Sequence, residues 1–129
     1  MLNVLIVAKK GEMRDGLQAL MAARSGLGPV TVTDSLDSAV EYTLEHCPVI
    51  VVFDVESPDS ALRSVVGKIT DSCPDTRLLL LVPDETSRRT AAAYGADSVL
   101  VRGVKANDLA GVAERLVTEF LWQVLLRGS

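Results

Sequence analysis

The chain has 129 residues, 48% of them hydrophobic, and 13 Lys and Arg against 17 Asp and Glu give a net charge of −4. That length makes one domain with enough interior to fold without covalent staples. The acidic balance, with no Lys/Arg cluster longer than two residues, argues against nonspecific binding to nucleic acid or to an anionic membrane surface.

A first strand is predicted over 2–8, a compact apolar run that stops at Lys9 and Lys10. A helix over 12–24 follows, with Met13, Leu17, Leu20 and Met21 at helical spacing, and Ser25 to Pro29 is a turn. Val30 to Thr33 is a short second strand. Asp34 or Ser35 can cap a helix that carries Leu36, Ala39, Val40, Thr43 and Leu44 on one face and stops at Pro48. Residues 49–54, Val-Ile-Val-Val-Phe-Asp, are continuous and largely β-branched, as expected of a central strand covered on both faces. Pro58 falls in the next loop or in the first turn of a third helix, which is marked by Leu62, Val65, Val66 and Ile69 and ends before Pro74. Residues 77–82 make a fourth strand, Asp84 caps a fourth helix stopping at Tyr94-Gly95, and 98–101 is a fifth strand. The last helix begins near 106–108 and carries one stripe of Leu109, Val112, Ala113, Leu116, Val117, Phe120, Leu121, Val124 and Leu125. No element is assigned to the closing Arg127-Gly128-Ser129.

Apolar strands alternating with helices predict an α/β fold: a doubly wound, five-stranded parallel sheet in the order 2-1-3-4-5 with five helices. Residues 1–118 form the domain and 119–129 extend its last helix. Beyond Val117 that helix turns apolar on most sides, Trp122 and Leu126 joining Phe120, Leu121, Val124 and Leu125. Such a surface wants cover: the rest of its own domain or a further output domain would supply it, and a homodimer contact through this end is the expectation.

Cys47 and Cys73 each precede a proline and do not make a disulfide framework. They are expected as two buried thiols near helix ends in a reducing cytosol. His46 is the one histidine, so neither a metal site nor a Ser-His-Asp or Cys-His arrangement can be drawn. The first apolar run is too short for a secretory signal, with its lysines on the wrong side, and the stretch at 78–82 is too short to span a bilayer. A cytoplasmic protein is expected. Gly26-Leu27-Gly28 follows a helix and leads into a strand, so it is no dinucleotide loop.

In such a sheet the carboxyl ends of the strands form the ligand-binding rim. They are Ala8-Lys9-Lys10, Thr33-Asp34, Asp54, Val82-Pro83 and Arg102-Gly103. Asp54 ends an otherwise apolar strand and needs a partner. The first and fifth strands offer Lys9 and Arg102, and a Lys9–Asp54 salt bridge with Arg102 close by is expected.

Asp54 with Pro58 four residues on, in VVFDVESP, and GADSVLVRG at 95–103 resemble the phosphoacceptor and strand-five motifs of response-regulator receiver domains, the CheY-like, flavodoxin-like family. MRDGLQALM at 13–21 and Arg102-Gly103 are most similar to receivers that precede a LuxR-type helix-turn-helix. The resemblance implies Asp54 as the phosphoacceptor-equivalent. It also implies two acidic residues for Mg²⁺ after strand one, where Ala8 and Lys9 stand. The family's Thr or Ser after strand four is Val82, its strand-five Lys is Arg102, and its switching aromatic is Val99. Phosphoryl transfer to a carboxylate gathers negative charge that a divalent cation normally neutralises, and Mg²⁺ prefers octahedral oxygen ligands. Ala8 and Lys9 supply none, so no metal or other cofactor is expected.

The expectation is therefore an atypical receiver domain that is not an enzyme. It would act without phosphorylation as a protein-interaction or dimerisation module, regulating transcription, with no direct contact to nucleic acid or membrane. One alternative is a working phosphoacceptor of a two-component phosphorelay using Asp54. The other is a small-molecule-binding flavodoxin-like domain with a rim pocket near Lys9, Asp34 and Arg102.

Overall fold

Five short strands, β1 (Val4–Val7), β2 (Val30–Thr33), β3 (Ile50–Asp54), β4 (Arg77–Val82) and β5 (Ser98–Val101), pair in parallel in the order β2-β1-β3-β4-β5. The computed structural model describes residues 2–24 and 26–128. Ser25, at the head of the expected turn, and Ser129, at the end of the tail, lie outside the described residues. The helices are α1 (Glu12–Ala22), α2 (Leu36–His46), α3 (Ser60–Ser72), α4 (Glu85–Ala91) and α5 (Ala106–Gly128), and a 3-10 turn at Ala92–Tyr94 follows α4. This is the fold predicted from the pattern of apolar residues.

Strand side chains alternate between two cores because successive residues point to opposite faces. Leu5, Val51, Phe53, Leu78, Leu80 and Val82 pack with Ala39 of α2, Leu62, Val66 and Ile69 of α3 and Ala91 of α4. Val4, Ile6, Val52, Leu79 and Leu81 pack on the other face with Leu17 and Met21 of α1 and Leu109, Ala113 and Leu116 of α5. Burial on both faces is why the strands read as continuous apolar runs.

Short polar side chains start three helices by accepting an otherwise unpaired backbone N–H. Ser35 Oγ accepts from Ser38 at 3.2 Å, Asp59 Oδ1 from Leu62 at 2.8 Å and Asp84 Oδ1 from Ser87 at 2.8 Å. The Ser87 backbone N–H holds the Asp84 carboxyl below its ordinary value. Gly95, at φ 94, takes the left-handed conformation that ends the 3-10 turn. Leu44 departs from expectation: it is exposed, while Tyr42 packs against the core and its phenol oxygen accepts from Thr31 Oγ1 at 3.3 Å.

The two cysteines also depart from expectation. Cys47 and Cys73 are joined in a disulfide, with 5.5 Å between their Cα atoms, a separation suited to a bridge. They stand 26 residues apart in sequence, but successive crossovers bring the ends of α2 and α3 side by side at the amino edge of the sheet. Cys73 is buried, and Cys47 adopts a left-handed backbone at φ 41. Polar links tie the same edge: Arg77 Nη1 lies 3.2 Å from Asp97 Oδ1, and Arg127 Nη2, near the end of α5, lies 3.1 Å from Asp75 Oδ1.

Closing a loop of this length by a disulfide contributes about 3 kcal/mol. Reduction with dithiothreitol is therefore expected to lower the melting temperature by about 10 °C, and Cys47→Ser should melt like the reduced chain. A melting curve unchanged by reductant would show that the bridge does not stabilise the fold.

Candidate functional site at the carboxyl edge of the sheet

Asp54 is the last residue of β3, opposite Leu81 of β4. Four buried residues precede it in the strand, and its side chain is only 12% exposed. Removing a carboxylate this far from water is costly unless it is paired. The partner is Arg102. Its Nε and Nη2 both lie 2.7 Å from Asp54 Oδ1, and Nη2 also donates to the Val55 carbonyl at 2.8 Å. The guanidinium thus spans the end of β3, holding the carboxylate and the next backbone oxygen together.

Backbone geometry explains the choice of cation. Arg102 follows β5 directly and its N–H still donates to the Val82 carbonyl at 2.8 Å, so the side chain springs from the sheet itself. Gly103, at φ 93, turns the chain away immediately afterwards. On the other side, Ala8 is the residue that continues the β1 ladder, donating to Thr33 O at 2.9 Å. Lys9 comes one residue later, with a side chain 70% exposed, and pairs with Glu56. The expected Lys9–Asp54 bridge is not formed; Arg102 takes that place and Lys9 pairs across the loop after β3.

Ala8 and Val82 are buried at the ends of β1 and β4. Val99 is partly buried and packs on the core shared with α2, α3 and α4. A methyl group and two isopropyl groups thus stand where the resemblance implies an acid, a hydroxyl and a ring. A shallow cavity of about 290 Å³ opens beside them, lined by Ala8, Lys9, Asp34, Asp54, Glu56 and Asp59 among others. Arg102 lies outside its lining, because the guanidinium is drawn over to Asp54 and Val55. A second, larger groove of about 730 Å³, lined by residues of α1, the loop after β5 and the start of α5, has Arg102 at its edge. No sequence pattern marks this groove, since its walls come from elements almost a hundred residues apart.

These residues do not fit a divalent metal. Asp54 Oδ1 and the Val55 carbonyl are engaged by a cation already covalently part of the chain. Asp59 Oδ1 caps α3 and Glu56 holds Lys9. Among the described residues no group of three or more His, Cys, Asp or Glu is placed to hold a metal ion.

Of the expected interface residues, Phe120 packs against the core of α1 and α5, because it continues the Leu109, Ala113, Leu116 stripe by one turn. Leu121, Trp122, Val124 and Leu125 are exposed, Trp122 by 58%.

No family model matches the chain, and the search of curated proteins found no match. Solved structures do resemble it. A pilus assembly-related protein from Burkholderia pseudomallei superposes with a TM-score of 0.76 at 20% identity, over 92% of this chain and 91% of that one. A CheY-like protein, tadZ, from Pseudomonas aeruginosa gives 0.71 at 18% identity, over 90% and 99%. A CheY-like receiver domain protein from Methanospirillum hungatei gives 0.75 at 15% identity, over 95% and 98%. The class is thereby defined at the level of fold: this is the flavodoxin-like α/β fold of CheY-like receiver domains.

The pairing at the rim sets a stability order. Arg102→Ala leaves a mostly buried carboxylate without its cation and is expected to cost about 2 kcal/mol in urea unfolding. Lys9→Ala removes an exposed ion pair and should cost under about 0.5 kcal/mol. Equal costs, or the reverse order, would contradict the assignment of Arg102 as the partner of Asp54.

Proposed function

We propose that the chain is a receiver-like signalling domain that works without metal-dependent phosphorylation, as a protein-interaction domain rather than an enzyme. The observation that carries this reading is the Arg102 guanidinium on Asp54 Oδ1 and the Val55 carbonyl, with Ala8 and Lys9 where metal ligands are required. A phosphoryl group on Asp54 would have to displace that cation, with no second acid to bring a metal. Val82 and Val99 offer neither a hydroxyl to follow a phosphoryl oxygen nor a ring to swing. A ligand shifts only states to which it binds differently, so a single rim state suits a constitutive binding surface.

The apolar end of α5 supplies that surface, and the partner is a protein, a second copy of this chain included. Nucleic acid and membrane are poor matches for a net charge of −4, and no helix among the described residues is long and apolar enough to cross a membrane. The same module would serve transcription, as the LuxR-type resemblance implies, or pilus assembly, as the name of the Burkholderia chain suggests. A cytoplasmic setting keeps thiols reduced; there Cys47 and Cys73 would stand as a dithiol and the fold would forgo the stability of the bridge.

The test is chemical. Incubation with acetyl phosphate and Mg²⁺ should leave the intact mass unchanged, with no adduct on Asp54. Amide resonances of residues 8–10 and 54–57 should stay in place through a millimolar Mg²⁺ titration. A stable adduct on Asp54 with saturable shifts at those amides would establish the phosphoacceptor reading instead.

A further inference from the structure

The α1–α5 side of the molecule carries two apolar features, a groove near the carboxyl edge of the sheet and an uncovered helix end near the amino edge. The groove, about 730 Å³, lies between α1 and the start of α5. Small residues open it: Gly16 and Ala19 on α1, and Gly103 and Ala106 before and on α5. A Cβ built on Gly16 or Gly103 would meet nothing within 4 Å. Met13 and Val104 stand exposed along it, while Leu17 and Leu109 are buried beneath.

The helix end arises because α5 outruns α1. The Arg24–Glu114 ion pair sets the end of α1 level with the third turn of α5. Helix α5, 23 residues long in all, continues from there to Gly128, with no α1 alongside. Around the helix, Glu114, Arg115, Thr118 and Glu119 keep the outward arc polar for little more than one turn past that level. Beyond that turn the same arc becomes Leu121, Trp122 and Leu125, all exposed.

We propose that two copies of the chain pair about a twofold axis on this side, the apolar end of each α5 lying in the α1–α5 groove of the other. This rests on the reading of α5 as an interaction surface and names its seat. The two features lie about 22 Å apart along one helix, and an antiparallel α5 pair brings each onto the other in a single step. Asn107, Gly111, Glu114, Thr118, Leu121 and Leu125 share one face at alternating spacings of four and three, the spacing of a coiled-coil seam. With Glu114 opposite Thr118, Gly111 falls opposite Leu121 and Asn107 opposite Leu125. No like charges stand opposite each other among these six seam positions, and the bare backbone at Gly111 admits the Leu121 side chain. The area is sufficient. Leu121, Trp122, Val124, Leu125, Met13 and Val104 expose between about a third and two-thirds of their surfaces. That is roughly 500 Å² per copy and about 1,000 Å² in total, at the threshold of a specific interface. A parallel pair would join the helix ends but leave both grooves empty.

A complementation experiment tests the arrangement by sedimentation equilibrium up to high micromolar concentration, with the emission of Trp122, the single tryptophan, as a second readout. The parent should dimerise, with Trp122 emission shifting to the blue as concentration rises. Leu125→Glu spoils the helix end and Gly16→Glu the groove. Both positions are exposed, and each variant should weaken association by at least about tenfold. An equimolar mixture should partly recover dimer, since one intact end meets one intact groove in the heterodimer. A parent that stays monomeric overturns the proposal. So does a dimer indifferent to Gly16→Glu, which would mean that the helix ends meet each other, or a mixture no stronger than its components. None of these outcomes bears on whether Asp54 accepts phosphate, so the two readings fail separately.

Discussion

A carboxylate at the end of a buried strand must be neutralised by something, and in this chain that something is Arg102. The strand β3 is central and apolar for four residues, which is what makes the charge on Asp54 expensive. The answering cation is placed by the sheet itself, because Arg102 is still hydrogen-bonded to β4 through its backbone. A guanidinium can hold a carboxylate and a carbonyl together in one plane, which an ammonium cannot do as well. The rim therefore closes on an internal cation. Ala8, Lys9, Val82 and Val99 fit around that pairing, since none of them offers a carboxylate, a hydroxyl or an aromatic ring at the rim.

Much of this was legible in the amino-acid sequence, and the reasons are physical. Strand runs and helical stripes differ in period, so the five alternating units could be read off, and their order follows from the need to cover both faces of a parallel sheet. Asp54 stood out as the one charge in its strand. The choice between Lys9 and Arg102 did not, because it depends on which residue is the last to remain in the ladder. Ala8 is that residue after β1 and Arg102 after β5, which a one-dimensional pattern cannot resolve.

The other misses share that origin. Cys47 and Cys73 meet only because two crossovers end side by side, and their spacing in the chain carries no sign of it. Leu44 lies on the predicted helix face, yet the packing of α2 draws Tyr42 inward instead. Phe120 shares its apolar character with the exposed end of α5, yet the core reaches one turn further and takes it in, and Arg127 is tied to Asp75 beyond it. The apolar excess past that turn was visible from composition alone; the groove that could receive it was not.

Arg102 is the partner that satisfies Asp54. A double-mutant cycle on Asp54→Asn and Arg102→Ala, measured by urea unfolding with and without millimolar Mg²⁺, tests it most directly. A coupling of about 1–3 kcal/mol is expected, unchanged by Mg²⁺. Absence of coupling, or coupling that collapses when Mg²⁺ is added, would contradict it.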